Sequence, residues 1–283
     1  MDEKAARETL KTAVENLIEA ARQLNYVHPL QILSRSDSTL RGHYPADVET
    51  IEEAMYLGFD ATIIAPCFFE GGRLTLNDTH YVDQGDNLVP AAMTPFGKDH
   101  AFGFESSNLC EWVEEKTSGR IKREDVISIT LADIREGGQS AVQEKLESVQ
   151  VGAVVVVNAA HRHDLDTFML GLLNAEANGA QFIYRTAASF VSSRVGLPPR
   201  KLLTRDTLDL LHTSTTTATA TAAAATSSTA SQANKQQPSI SMLDSLGLSD
   251  KHAHRLEKRK TGGLIVVGRY ADSLSLSLSI SLS

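Results

Sequence analysis

The run Ala153-Val154-Val155-Val156-Val157 constrains the chain more than any other five residues. Four successive valines leave no polar face, so a strand here is covered on both sides, the mark of a parallel sheet flanked by helices. The rest of the first 200 residues agrees. Ala5, Leu10, Val14, Leu17 and Ala21 fall on one helical stripe, and a short strand follows over Leu30–Leu33. A helix is expected from Pro45 to Gly58, a strand over Ala61–Ala65, a helix over Ser107–Lys116 and a strand over Val126–Leu131. Helix Ser140–Ser148, the valine strand, helix Asp164–Asn178 and strand Gln181–Tyr184 complete the series. Strands alternating with helices of this length imply right-handed βαβ crossovers and a parallel, Rossmann-like layered α/β domain.

At 283 residues the chain can bury a sizeable core in one large domain or two modest ones. Lys plus Arg number 27 against 35 Asp plus Glu, a formal charge of −8. That balance argues against nucleic acid or an anionic membrane surface as a partner, since both favour a basic face. No apolar run reaches the length of a transmembrane helix, and Met1-Asp2-Glu3-Lys4 does not read as a leader. Two cysteines, Cys67 and Cys110, are too few for a disulfide framework, so a reducing, cytoplasmic setting is expected. A homo-oligomer is compatible with all of this.

Composition changes near residue 212. Residues 1–212 read as the folded domain, and 213–260 as a disordered linker, because Thr, Ala, Ser and Gln there cannot offset ordering entropy by burial. The basic run Lys251–Lys260 reads as a solvated face rather than a nucleic-acid contact. Gly262–Gly268 reads as a strand opening a further domain. Ser273–Ser283 alternates Ser with Leu or Ile, either as an amphipathic edge strand or as a translated TC repeat.

Two loops can carry chemistry. Ser34-Arg35-Ser36-Asp37-Ser38-Thr39-Leu40-Arg41-Gly42 sets two guanidiniums, a carboxylate and several hydroxyls just past a strand, at the sheet edge where α/β proteins bind ligands. Arg41 can meet a carboxylate through two parallel hydrogen bonds, Ser38 and Thr39 can answer a polyol, and Gly42 permits close backbone approach. A turn followed by a helix cap with a surface Arg reads the same residues equally well. The loop 65–75, with Gly71, Gly72 and Arg73, should reach the same edge, although Gly-Gly-Arg also suits a plain loop. Cys67 and Cys110 lack a recognisable His partner and read as structural. His161 and His163, two apart, do not share a helix face, so no metal site is expected. Neither a GxxxxGK[ST] phosphate loop nor a strand-borne GxGxxG is present.

Residues 34–42 resemble the K/R-x-D-S-T-L-R-G signature of the four-carbon acid sugar kinase family. The stretches 65–73, 77–82, 156–160, 184–191 and 262–268 are similar to the same family, in the same order. The resemblance implies an N-terminal sugar-acid-binding α/β domain and ATP-dependent phosphorylation of threonate, erythronate or their oxo derivatives, with Mg. It implies that Asp37, Ser38, Thr39 and Arg41 hold the substrate, with Arg35 in place of the commoner Lys. Family members begin with a strand ending in Asp-Asp-x-Thr-Gly and finish with a nucleotide-binding domain. This chain opens on a helix, and residues 261–283 offer only a stub of the second domain. It is therefore expected to lack the first strand and the ATP site, and to be inactive alone. The alternatives are a non-catalytic hydroxy-acid-binding protein or a non-functional gene fragment.

Overall fold

The computed structural model describes residues 2–27, 30–56 and 58–198, together with the backbone of Leu264–Tyr270 and Ser273–Ser277. Helix α1 (Glu3–Gln23), whose first turn is capped by the Asp2 carboxylate accepting from Ala5 N–H at 2.8 Å, leads to strand β1 (Gln31–Arg35). Then come α2 (Ala46–Met55), β2 (Ala61–Ala65), a meander of β3 (Arg73–Leu76), β4 (Thr79–Asp83) and β5 (Leu88–Pro90), and α3 (Leu109–Lys116). The series continues with β6 (Ile127–Ile129), α4 (Leu131–Arg135), α5 (Gly138–Glu147), β7 (Ala153–Val157), α6 (Arg162–Ala177), β8 (Phe182–Thr186) and α7 (Ala188–Arg194). Strands β9 (Leu264–Tyr270) and β10 (Ser273–Ser277) close it.

The main sheet runs β10-β9-β1-β8-β2-β7-β6, parallel throughout except for β10. The valine strand lies between β2 and β6, and Val154–Val157 are all buried. Chain order moves outward from β1 to β6 and then back through β7 and β8, so right-handed crossovers assign the helices to opposite faces. Two separate cores follow. Helices α1, α2 and α3 cover Ile32, Ile64, Val154, Val156 and Ile183, with Trp112 fully buried among them. Helices α4 to α7 cover Leu33, Ile63, Val155, Val157 and Tyr184. Among the described residues no helix is long and apolar enough to cross a membrane.

The α/β expectation holds, and its element boundaries shift by a few residues. One strand-to-helix boundary moves back: β6 stops at Ile129, and Thr130 caps α4 in a capping box with Asp133, so Leu131 is helical. Helix α2 ends at Met55, three residues before Gly58, through left-handed Tyr56. The sequence reading had no place for the antiparallel sheet β3-β4-β5. Its first turn is the pair Asn77-Asp78, with φ of 47° and 61°, a two-residue connection that twists with its strands. Strand β9 (Leu264–Tyr270), which overlaps the Gly262–Gly268 strand expected to open a further domain, lies parallel to β1. The proposed linker 213–260 lies outside the described residues.

Candidate functional site

The loop 36–45 leaves the carboxyl end of β1, anchored by the Ser36 N–H donating to the Thr186 carbonyl at 2.7 Å. Within it the side chains of Asp37, Thr39 and Arg41 close on one another. The Thr39 hydroxyl donates to the Asp37 carboxylate, and Arg41 Nε donates to the same oxygen at 2.7 Å. Arg41 Nη1 reaches Asp99 Oδ2 at 3.3 Å, from the loop after β5. The guanidinium also lies over the Phe96 ring, 5.0 Å from its centroid. Arg41 is thus held on three sides, with Nη2 carrying no partner among the described residues. Burial disfavours its charge, but the bonds to Asp37 and Asp99 outweigh that and raise its pKa. Asp99 is held below the ordinary carboxylate value, chiefly by the backbone N–H groups of Ala101 and Phe102 and then by Arg41.

Arg73 arrives from the second loop. Its guanidinium stands 5.8 Å from the same Phe96 centroid, Nη1 donates to the Gly71 carbonyl, and Nε is buried without a partner. The turn that delivers it uses Gly72 at φ 71°, where a Cβ would come within 2.9 Å of Asp83. The two Arg-bearing loops therefore meet, although they are some thirty positions apart in the chain. Ser38 enters through its backbone: its carbonyl faces His80 Nε2 at 2.7 Å. Arg35 ends β1 in register with Thr186 and Gly268. Gly42, at φ 128°, lets the chain turn above the Arg185 guanidinium.

Arg185 was not singled out in the sequence, and it explains why the loop stays in place. On β8 and 1% exposed, it donates from Nε to Asp47 Oδ2 at 3.2 Å and from Nη2 to the Arg41 carbonyl at 3.4 Å. Its guanidinium lies 5.3 Å from the Tyr44 centroid and 4.9 Å from that of Trp112. Such a cation is dehydrated but flanked by π-faces and a carboxylate, which fix its place. His80 and Arg185 fall inside the stretches 77–82 and 184–191, the one signal that could have found them. Asp99 and Phe96 carried no signal.

The same stretches tie the second loop down. Asn158, after β7, donates to Asp78 Oδ1 at 2.7 Å and accepts from the Asp78 N–H at 2.7 Å, fixing the β3–β4 turn against the sheet. Ser189, at the start of α7, accepts from Phe69 N–H and donates to Glu70, both at 3.0 Å. Burial pushes the Cys67 thiol up to about 12 and that of Cys110 to about 11, the opposite of nucleophile activation. Among the described residues no group of three or more His, Cys, Asp or Glu is placed to hold a metal ion.

A family model described as the sugar-binding N-terminal domain matches residues 1–194. No curated protein matches the chain. Among solved structures it is similar to a Haemophilus influenzae protein of the DUF1537 family, at 19% identity and a TM-score of 0.47, covering 66% of this chain and 42% of that one. A Salmonella typhimurium LT2 protein titled a putative tRNA synthase gives 18% and 0.45, covering 59% and 37%. A DUF1537 domain from Bordetella bronchiseptica, a domain-swapped dimer with bound citrate, gives 17% and 0.48, covering 94% and 67%. The chain thus spans about two-fifths of the length of the first two.

Proposed function

The chain belongs to the family of sugar-binding N-terminal domains, and on that premise we propose that its loops after β1 and β2 bind a four-carbon sugar acid such as threonate, erythronate or a 3-oxo-tetronate. The observation that carries the reading is the Arg41 guanidinium, fixed by Asp37 and Asp99, with the Arg73 guanidinium against the same Phe96 ring. A guanidinium already fixed in orientation loses little entropy when a carboxylate docks, so its remaining N–H groups give affinity and direction together. In this reading Arg41 and Arg73 take the carboxylate, while Asp37, Ser38 and Thr39 meet the hydroxyls. Arg35 adds positive charge at the end of β1, and Gly42 keeps the backbone close.

The kinase assignment rests on the resemblance. In phosphoryl transfer the sugar-binding part orients the accepting hydroxyl, and that is the contribution proposed for these residues. ATP and Mg enter only as the family's co-substrate and metal. The described residues bring together no metal-holding group and no phosphate loop. Without a partner that supplies ATP and Mg, the chain is proposed to bind and not to turn over. A cytoplasmic setting and self-association remain part of the proposal.

Titration calorimetry of D-threonate and D-erythronate into the full chain, repeated with Arg41→Ala, tests the reading. Saturable binding by the wild type and none by the variant supports it. Absence of binding by both, or equal binding by both, overturns it.

A further inference from the structure

His80 has both ring nitrogens engaged inside the protein. It is fully buried on β4, Nδ1 is 2.9 Å from the Thr75 hydroxyl on β3, and Nε2 is 2.7 Å from the Ser38 carbonyl in the signature loop. A carbonyl only accepts, so Nε2 carries the hydrogen, and the neutral ring then accepts at Nδ1 from the Thr75 hydroxyl. The hairpin bearing this pair is itself rooted in the sheet. Thr75 exchanges two backbone hydrogen bonds with Ala159, at 3.0 and 3.1 Å, and the His80 N–H donates to the Ser107 carbonyl at 2.8 Å. A rigid rod therefore runs from the end of β7 through Thr75 and His80 to the backbone between Asp37 and Thr39.

We propose that His80 is a positioning residue for the sugar-acid site, fixing the peptide at Ser38 so that Asp37 and Thr39 converge on Arg41. It touches no ligand. It acts by clamping the carbonyl that lies between the two side chains holding the guanidinium. The inference rests on the sugar-acid reading for its functional consequence, and on geometry alone for the clamp. Groups that face the ring with charge are Arg73 and Asp37, one opposing and one favouring a proton on it. Burial dominates both, so the ring stays neutral and the hydrogen-bond direction does not reverse near neutral pH.

The test uses the full chain and two readouts. The first is the Nε–H resonance of Arg41 in nitrogen-resolved NMR, which reports its bond to Asp37 without any ligand. The second is the dissociation constant for D-threonate. His80→Phe removes both hydrogen bonds at similar volume and should broaden or shift the Arg41 resonance and weaken binding about tenfold or more. His80→Gln keeps a side-chain N–H donor and should restore much of both signals. Thr75→Val, which leaves the ring in place but removes its Nδ1 partner, should give an intermediate effect and serves where His80→Phe fails to fold. Val142→Ala, on the buried side of α5 and in the core of the opposite sheet face, is the control for lost stability alone and should leave the Arg41 resonance unmoved.

If the Arg41 resonance and the D-threonate affinity survive loss of the His80 bonds, the inference is wrong and the sugar-acid reading stands. If the resonance responds as expected but the wild type binds neither D-threonate nor D-erythronate, the clamp is right and the sugar-acid reading is wrong.

Discussion

The Nε of Arg41 donates to Oδ2 of Asp37 at 2.7 Å, from four residues further along the chain, and Asp99 takes a second N–H of the same guanidinium at 3.3 Å. The two tethers are not equivalent. Asp37 belongs to the loop itself, whereas Asp99 comes from a segment 58 positions away and is held by two backbone N–H groups of its own. Replacing Asp99 with Asn keeps the Oδ1 that accepts from the Ala101 and Phe102 N–H groups, so it should leave the loop folded while freeing one edge of the guanidinium to rotate. A partly exposed pair of this kind contributes at most about 1 kcal/mol, so urea denaturation should barely change. D-Threonate affinity should nonetheless fall several-fold, because the ligand must now order the cation. Arg41→Lys should lose nearly as much as Arg41→Ala, since an ammonium cannot hold Asp37, Asp99 and a carboxylate in one plane.

Arg185 supports a different expectation. With the side chain 1% exposed and its carboxylate partner Asp47 14% exposed, removal of either leaves a buried charge alone. Arg185→Met should cost about 3–5 kcal/mol in urea or thermal unfolding. Asp47→Asn added to Arg185→Met should recover part of that loss, because the uncompensated carboxylate is then gone. A double variant no more stable than Arg185→Met would mean that the aromatic faces of Tyr44 and Trp112, and not Asp47, provide most of the anchoring.

At Gly42 the backbone conformation decides the outcome. With φ at 128° an L side chain is strained wherever it points, and the new Cβ would also touch Arg185 Nη2 at 3.4 Å. Gly42→Ala should destabilise the protein by about 1–2 kcal/mol. It should also weaken tetronate binding, because the carbonyl of Arg41, one residue earlier, would be drawn off Arg185. Calorimetry and urea melts on the same preparation separate the two effects. An Ala variant with wild-type stability would show that the loop reaches its position by another route.

How far these features could be read from the chain follows from where their causes lie. The parallel sheet was legible because its causes are local: four valines in succession at β7, a 3.6-residue stripe along α1, and helix stops near Gly179. The meander β3-β4-β5 was not. Its turn uses Asn77-Asp78 where a glycine would have signalled a hairpin, and Arg73 to Leu76 alternates too briefly to stand out. The signature loop announced itself through its density of charge and hydroxyls, yet its supports are distant in sequence. His80 lies 42 positions from Ser38, and Arg185 lies 144 from Arg41. A buried Arg or His reads as an ordinary strand residue until the fold shows what it faces, and no periodicity relates β8 to the loop after β1.

The most direct physical consequence of the buried imidazole is a pH dependence of stability. Burial, opposed by the Ser38 carbonyl and aided by the charge of Arg73, pushes the His80 pKa down to about 4 from the ordinary 6.5, with Asp37 pulling the other way. Unfolded, the ring accepts a proton near pH 6.5; folded, it resists until about pH 4. Between those values the unfolded chain binds one more proton than the native one, so stability is complete above pH 6.5 and falls as pH drops toward 4. The depressed value corresponds to a loss on the order of 3 kcal/mol across that window. Paired carboxylates such as Asp99 and Asp164, held below 3.8, contribute their own losses lower down. Urea midpoints measured at half-unit steps from pH 7.5 to 4.5 should therefore decline in the wild type, and the decline should be shallower in His80→Gln, which has nothing to protonate. Parallel slopes for the two proteins would place the titrating group elsewhere and remove the argument that the ring is locked neutral between Thr75 and Ser38.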